Sequence, residues 1–244
     1  MKLQQLLSNV RRAIDDYEMI REGDKIAVGI SGGKDSLTLL YALSELKKFY
    51  PSRFELYAVT IDLGFGNLNL EEIKNFCKML GIPYQIIDTE ISKVVFEKRK
   101  ESNPCSLCAK MRKGALNEVM KAVGCNKVAY AHHKDDVVET MLLSLVFEGR
   151  FHTFSPVTNL ERSNMTLIRP LVYMHEKDVI GFVNKYKLPV VKSPCPMDGK
   201  TKREDTKELL RELNRKYPGV KNRMFTAICE GEIDGWRGKT ALSD

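Results

Sequence analysis

Two short loops and three cysteines carry the residues of this sequence best suited to chemistry. The first loop, Ser31-Gly32-Gly33-Lys34-Asp35-Ser36, follows an apolar run and opens a helical one. Gly32 and Gly33 permit close backbone approach and unusual dihedrals. A helix start supplies free N–H groups and the positive end of a dipole, and Ser31, Ser36 and Lys34 add hydroxyls and charge, so the loop suits an anion. It is not a Walker A loop, because Val28 stands where the first glycine belongs and Asp35 follows the lysine where Ser or Thr is needed. The second loop, His132-His133-Lys134-Asp135-Asp136, also leads into a helix. Its two carboxylates complement the helix dipole and can cap the first turn.

Cys105 and Cys108 form a C-x₂-C pair at a helix start, with Lys110, Arg112 and Lys113 near enough to favour thiolates. Cys195 lies between Pro194 and Pro196 in a loop, whereas Cys77, Cys125 and Cys229 have apolar or helical surroundings and read as packing residues. A C-x₂-C pair fits zinc, an iron–sulfur cluster or a redox dithiol. A structural zinc wants four ligands, and no fourth cysteine has a comparable setting. A [4Fe–4S] cluster on three cysteines leaves one iron open, although four ligands are commoner. Counting thiols leaves the metal undecided.

The elements that must position these groups alternate between strand and helix patterns. Strands are expected at 25–30, 54–61, 83–88, 125–133 and 167–171, and helices at 35–48, 69–81, 108–123, 135–149 and 176–187. That order predicts an α/β fold with a doubly wound, mostly parallel sheet. Ligands of such sheets bind beyond the carboxyl ends of the strands, so the loops after strands one, two and four should converge. Asp62, after the second strand, is then a candidate for nucleotide contact, with a plain turn role as the alternative. The organisation expected is an N-terminal helix over 1–24, a domain over 25–199, and a basic helical tail over 200–244, all in one compact unit.

The 244 residues carry a net charge of +7, concentrated in 93–113 and 177–223, which suits a polyanion such as nucleic acid as well as a solvated basic face. No apolar run approaches the ~20 residues of a membrane span. The first twenty residues read as an amphipathic helix rather than a signal peptide, so a cytoplasmic location is expected and a disulfide framework is not.

The hexapeptide SGGKDS after a buried strand resembles the pyrophosphate loop (PP-loop) of the N-type ATP pyrophosphatases. The stretch "AYAHHKDDVVET" resembles a signature of their tRNA-modifying branch. With "PCSLC" before a basic helix, "IRPL" followed by "EKD", and Cys195 in a proline-rich loop, the order resembles the tRNA 2-thiocytidine synthetase family from about Lys25 to Cys195. One departure is visible: familiar members have a second cysteine pair in the later loop, and here Pro196-Met197-Asp198-Gly199 follows Cys195.

The resemblance implies a Rossmann-like PP-loop ATPase that uses ATP and Mg²⁺ to adenylate the C2 carbonyl of an anticodon-loop cytidine. Sulfide then replaces the oxygen, releasing AMP after pyrophosphate. It implies nucleotide binding by Ser31, Gly32, Gly33, Lys34, Asp35, Ser36, Asp62 and His133, and catalytic roles for Lys34, Arg112, Asp135 and Asp136. It places a [4Fe–4S] cluster on Cys105, Cys108 and Cys195. The implied partners are tRNA, a sulfur donor (a cysteine desulfurase or free sulfide) and a second copy of the chain. Three alternatives remain: a 2-thiouridine-type or other PP-loop sulfurtransferase, a lysidine-type ligase that needs no cluster, and a zinc-stabilised RNA-binding protein without catalysis.

Overall fold

Side chains of the first strand point alternately into two cores, and this alternation organises the molecule. In the computed structural model, which describes residues 1–66, 69–99, 104–197 and 202–238, β1 spans Asp24–Gly29. Ile26 and Val28 enter a large core on one face of the sheet, and Ala27 enters a smaller one on the other. β1 is therefore buried on both faces and reads as a continuous apolar run, as a central parallel strand should.

β1 pairs in parallel with β2 (Phe54–Asp62) on one side and β4 (Lys127–Ala129) on the other. β2 pairs with β3 (Tyr84–Asp88), and β4 with β6 (Met165–Ile168), both in parallel. β5 (Val157–Leu160) completes the sheet as an antiparallel edge, giving the order β3-β2-β1-β4-β6-β5. The strand order reverses between β1 and β4, so a crevice opens beyond their carboxyl ends. The loops leaving these two strands are SGGKDS and HHKDD.

The large core receives α1 (Leu3–Asp16), α2 (Lys34–Leu46), α3 (Glu71–Met79), α5 (Lys134–Glu148) and α6 (Glu176–Tyr186). It also receives Leu210 of α7 (Lys202–Lys216) and Phe225 and Ile228 of α8 (Val220–Glu230). The smaller core is built on α4 (Pro104–Ala122) through Leu116, Val119 and Met120. Helices thus cover both faces. Among the described residues no helix is long and apolar enough to cross a membrane.

Several boundaries differ from the sequence reading for identifiable reasons. The fourth strand stops at Ala129, because Ala131 to His133 leave the sheet to cap α5. β5 is an additional strand: its short Val-Thr-Asn-Leu alternation is a weak sequence signal, and it is held by an antiparallel hairpin whose turn places Asn164 at φ 51°. β6 ends before Pro170, which has no N–H to give the ladder. The basic tail is two helices, α7 and α8, separated at Pro218-Gly219. The expected domain boundary at 199 and 200 and the final residues 239–244 lie outside the described residues.

Candidate active site at the sheet crossover

Glycine at position 32 is required by geometry. Its φ is +82°, and a Cβ there would meet Val191 at 3.4 Å and Ile73 at 3.5 Å. Val191 donates its N–H to the Gly32 carbonyl at 2.9 Å, so the segment after α6 lies against the loop. Gly33 is the N-cap residue of α2 and leaves the first turn free of a side-chain cap. The loop is tied internally instead: Ser36 Oγ donates to the Gly33 carbonyl at 3.0 Å and accepts from the Ser31 N–H at 3.2 Å.

Lys34 and Asp35 make the central ion pair of the loop. Lys34 Nζ lies 3.0 Å from Asp35 Oδ2 and 3.1 Å from Glu176 Oε1, at the start of α6. Burial works against the Lys34 cation, but the two carboxylates outweigh it and hold its pKa above the ordinary lysine value. Burial likewise opposes the Glu176 anion, and Lys34 and Lys207 outweigh it, so its pKa falls. Asp35 Oδ1 is buried without a hydrogen-bond partner, 3.9 Å from His133 Nε2. A buried unpaired carboxylate oxygen is costly. Its position, facing the crevice, suits a cation or a donor brought by a ligand.

His133 caps α5 in a reciprocal arrangement. Its Nδ1 accepts from the Asp136 N–H at 3.3 Å, and its own N–H donates to Asp136 Oδ2 at 2.9 Å. The expected acidic pair of this loop is divided by the fold. Asp136 lines the crevice, with Arg203 Nη1 3.6 Å from Oδ1. Asp135 points the other way: its oxygens accept from Lys221 Nζ at 2.9 Å and the Glu176 N–H at 2.8 Å, and His175 is 3.6 Å away. Burial raises the Asp135 pKa, but these partners overcome it and hold the carboxyl below its ordinary range. Consecutive helical residues face about 100° apart, so one carboxylate reaches the crevice while its neighbour ties α5 to α6 and α8.

Two adjoining cavities occupy the crevice. One, of about 530 Å³, runs from Ser31, Asp35, Ser36 and Asp136 to Arg112 and Lys113 on α4. The other, of about 420 Å³, joins Gly33, Lys34 and Asp62 to Ser193 and Pro194. Arg112 lines both, together with Ser31, Asp35 and Ile61. Asp62 also accepts from the Gly64 N–H at 2.9 Å, so it shapes its own turn and borders the cavity at once.

Cys108 lies one helical turn before Arg112 on α4, on the same face. Burial pushes the Cys108 thiol up, Arg112 pulls it down, and Cys195 and Cys105 push it up again. The three thiols singled out in the sequence are therefore gathered within electrostatic reach, although Cys195 is 87 positions beyond Cys108. Among the described residues no three such donors crowd around a single ion. A four-iron cluster takes its thiolates on separate irons, so three thiols brought from two separate segments are a donor set that could hold one. Cys77 and Cys125 are buried in the cores, as expected of packing residues.

Residues that the sequence reading did not place in the site are Glu176, beside Lys34, and the buried Arg169, beside His132. Both lie in stretches singled out only for their order, "IRPL" and "EKD". Glu139 is a third. It is 1% exposed with one oxygen unpaired, and burial raises its pKa to about 7.

A parallel sheet with a phosphate-type loop at its crossover defines a nucleotide-binding α/β protein of the PP-loop class, and a family profile described as a PP-loop domain matches residues 2–213. A tRNA-cytidine(32) 2-sulfurtransferase of Pelobacter propionicus is 41% identical over 90% of this chain and 82% of its own length. One from Geobacter sulfurreducens is 38% identical over 93% and 90%. Among solved structures, the U34-tRNA thiolase NcsA from Methanococcus maripaludis with its [4Fe-4S] cluster superposes with a TM-score of 0.74 at 25% identity, covering 91% of this chain and 76% of that one. The chain belongs to the PP-loop family, and within it to the family of the tRNA-cytidine(32) 2-sulfurtransferases.

Proposed function

We propose that this protein is an ATP-dependent tRNA sulfurtransferase that converts an anticodon-loop cytidine to 2-thiocytidine, releasing AMP and pyrophosphate. The names of its relatives put that cytidine at position 32. The observation that carries this reading is that Cys108 is within electrostatic reach of Cys105, of Cys195 and of Arg112, and Arg112 lines the crevice that holds the phosphate loop.

The chain's residues divide the work as follows. The free N–H groups at the start of α2, with Ser31, Ser36 and Lys34, hold the β- and γ-phosphates of ATP. Asp35 Oδ1 and Asp136 hold Mg²⁺, which takes few protein carboxylates and keeps phosphate oxygens and water as its other ligands. The C2 carbonyl oxygen of the base attacks the α-phosphorus, and the bond to pyrophosphate breaks. Arg112, placed between the two cavities, stabilises negative charge as it develops there. Sulfide then attacks C2, the C–O bond breaks, and the oxygen leaves with AMP. Cys105, Cys108 and Cys195 hold the [4Fe–4S] cluster. When bound, it supplies Lewis-acidic iron with one position free of protein ligands, which keeps sulfide anionic. A single-stranded loop lets the base leave its stack cheaply. Lys and Arg side chains of α4 and α7 then track the phosphates. The sulfide comes from a cysteine desulfurase or from the free pool, the enzyme acts in the cytoplasm, and it works as a homodimer.

The test is metal and acid-labile sulfide analysis of anaerobically purified protein, with thionucleoside analysis of tRNA after incubation with ATP and sulfide. About four irons and four sulfides per chain, lost in Cys195→Ala, and ATP-dependent 2-thiocytidine are expected. Stoichiometric zinc without sulfide after anaerobic reconstitution would sink this reading in favour of an RNA-binding role. Thiouridine instead of thiocytidine would move the chain to the uridine-specific enzymes.

A further inference from the structure

Arg169 is a cation placed where cations rarely sit. It is 7% exposed, and among the described residues no carboxylate pairs with it. Its Nη1 donates to the Ser155 carbonyl and, at 3.1 Å, to Thr158 Oγ1. Its Nε donates to His132 Nδ1 at 3.1 Å. Both side chains lie on Phe154: the guanidinium is 4.8 Å from the ring centre, and the imidazole stacks at 4.6 Å. Burial lowers the Arg169 pKa to about 10, which leaves it charged near neutrality.

An arginine can only donate, so Nδ1 of His132 must accept. The imidazole proton is then on Nε2, and the ring is neutral. Burial first, and the neighbouring Arg169 charge second, lower the His132 pKa to about 4. Asp136 opposes this, and Arg203 and His133 add to it. His132 lines the larger cavity, between the phosphate loop and α4. Its Nδ1 edge is taken by Arg169, which leaves Nε2–H as the donor available to that cavity. The opposite tautomer would offer a lone pair there and select a donor instead.

We propose that His132 is a recognition residue that gives one uncharged hydrogen bond to an acceptor atom of a nucleotide in this cavity, and that Arg169 is the positioning residue that fixes this polarity. The acceptor is an oxygen or ring nitrogen, on ATP or on the target pyrimidine. The assignment of the cavity rests on the sulfurtransferase reading; the protonation state of His132 does not.

The experiment uses full-length protein labelled with ¹⁵N-histidine, with the His132 ring signals assigned by their loss in His132→Gln. Long-range ¹H–¹⁵N spectra should show the Nε2–H tautomer unchanged from pH 6 to pH 8, and a mixture of tautomers with a raised pKa in Arg169→Met. The wild-type spectrum decides the point even where Arg169→Met does not fold. A Nδ1–H tautomer, or an imidazole titrating near 6.5, would overturn the proposal. Calorimetry with α,β-methylene ATP and no tRNA, and initial rates with tRNA, then separate the two sources. His132→Ala weakening the analogue about tenfold places the acceptor on ATP, from the size of one neutral hydrogen bond. Unchanged analogue binding with an about tenfold loss in kcat/KM for tRNA places it on the base. His132→Gln, whose amide nitrogen can stand in for Nε2, should recover most of either loss. No effect of His132→Ala in both arms rejects the recognition role. Wild-type protein that binds the analogue but never thiolates tRNA rejects the sulfurtransferase reading while leaving the ATP arm standing.

Discussion

The two ends of the parallel sheet each hold a lysine–aspartate pair, and they are finished differently. At the amino ends of the strands, Lys127 Nζ lies 2.6 Å from Asp24 Oδ2 with both residues buried. Both charged groups have further partners there: Lys127 donates to the Met19 carbonyl, and Asp24 accepts from the Arg21 N–H and from Asn126 Nδ2, so each of its oxygens is hydrogen-bonded. Burial opposes the Asp24 anion, and these partners outweigh it and lower its pKa. At the carboxyl ends, the Lys34–Asp35 pair is 3.0 Å apart, but Asp35 Oδ1 is buried and unmatched, and Lys34 is shared with Glu176. Desolvation of a charge is offset only when its hydrogen-bonding capacity is filled. The closed knot offsets its own cost and holds the chain together. The open pair leaves part of that cost for a ligand to relieve, which is the physical signature of a binding site.

The largest effect expected from breaking this contrast is at the closed end. Asp24→Ala strands the buried Lys127 and should cost about 3–5 kcal/mol in urea unfolding. Nucleotide affinity of the protein that remains folded should hold within about twofold; a large loss of affinity would mean the two ends are not independent. Lys34→Ala should do the reverse. It should lower the rate of ATP-dependent pyrophosphate release by about 10²–10³-fold, the size seen on removing one stabiliser of developing charge. Its unfolding free energy should move by less than about 1 kcal/mol, because the pair is part-exposed.

A smaller effect is expected at Glu139, whose pKa is raised to about 7 by burial, against an ordinary value of 4.5. The folded protein holds this proton more tightly than the unfolded chain does. Stability is therefore full below the unfolded value and falls as pH rises through 4.5 to 7. Glu139→Gln should raise the melting temperature at pH 8, by an amount worth about 1–2 kcal/mol, and change it little at pH 4. An equal gain at both pH values would show that packing, not ionisation, is responsible. Smallest of all should be Lys48→Ala. Lys48 and Glu45 are as close as the buried knot, at 2.6 Å, but the lysine side chain is 66% exposed. Its removal should cost no more than about 0.5 kcal/mol, which would show that burial rather than distance separates the two kinds of pair.

Much of the crevice was legible in advance because its parts are local. A glycine turn between a strand and a helix pattern marks the anion loop at Ser31–Ser36 without any tertiary knowledge. The C-x₂-C pair and the proline-flanked Cys195 announced themselves by their settings. Less legible were features whose signal is shared with something ordinary. Asp135 and Asp136 are identical in type, and only the helix's rotation against α6 and α8 sends one to the crevice and the other to Lys221. Arg169 looked like any surface arginine, until β5 and β6 folded Ser155 and Thr158 over it. β5 itself is four residues long, too short for alternation to speak.

By itself the sequence determined the alternating strand and helix order, and therefore a parallel sheet with its ligand end at the carboxyl tips of the strands. It also determined the chemistry available there: an anion loop, paired carboxylates and three unusual thiols. These follow from propensity, periodicity and turn stereochemistry, which act over a few residues. Which groups meet was decided by the tertiary structure. The fold brings Cys195 within reach of Cys108, sets Glu176 against Lys34, and leaves Asp35 Oδ1 without a partner. Coulombic attraction, hydrogen bonding and desolvation depend on distance in space, and no spacing along the chain encodes that.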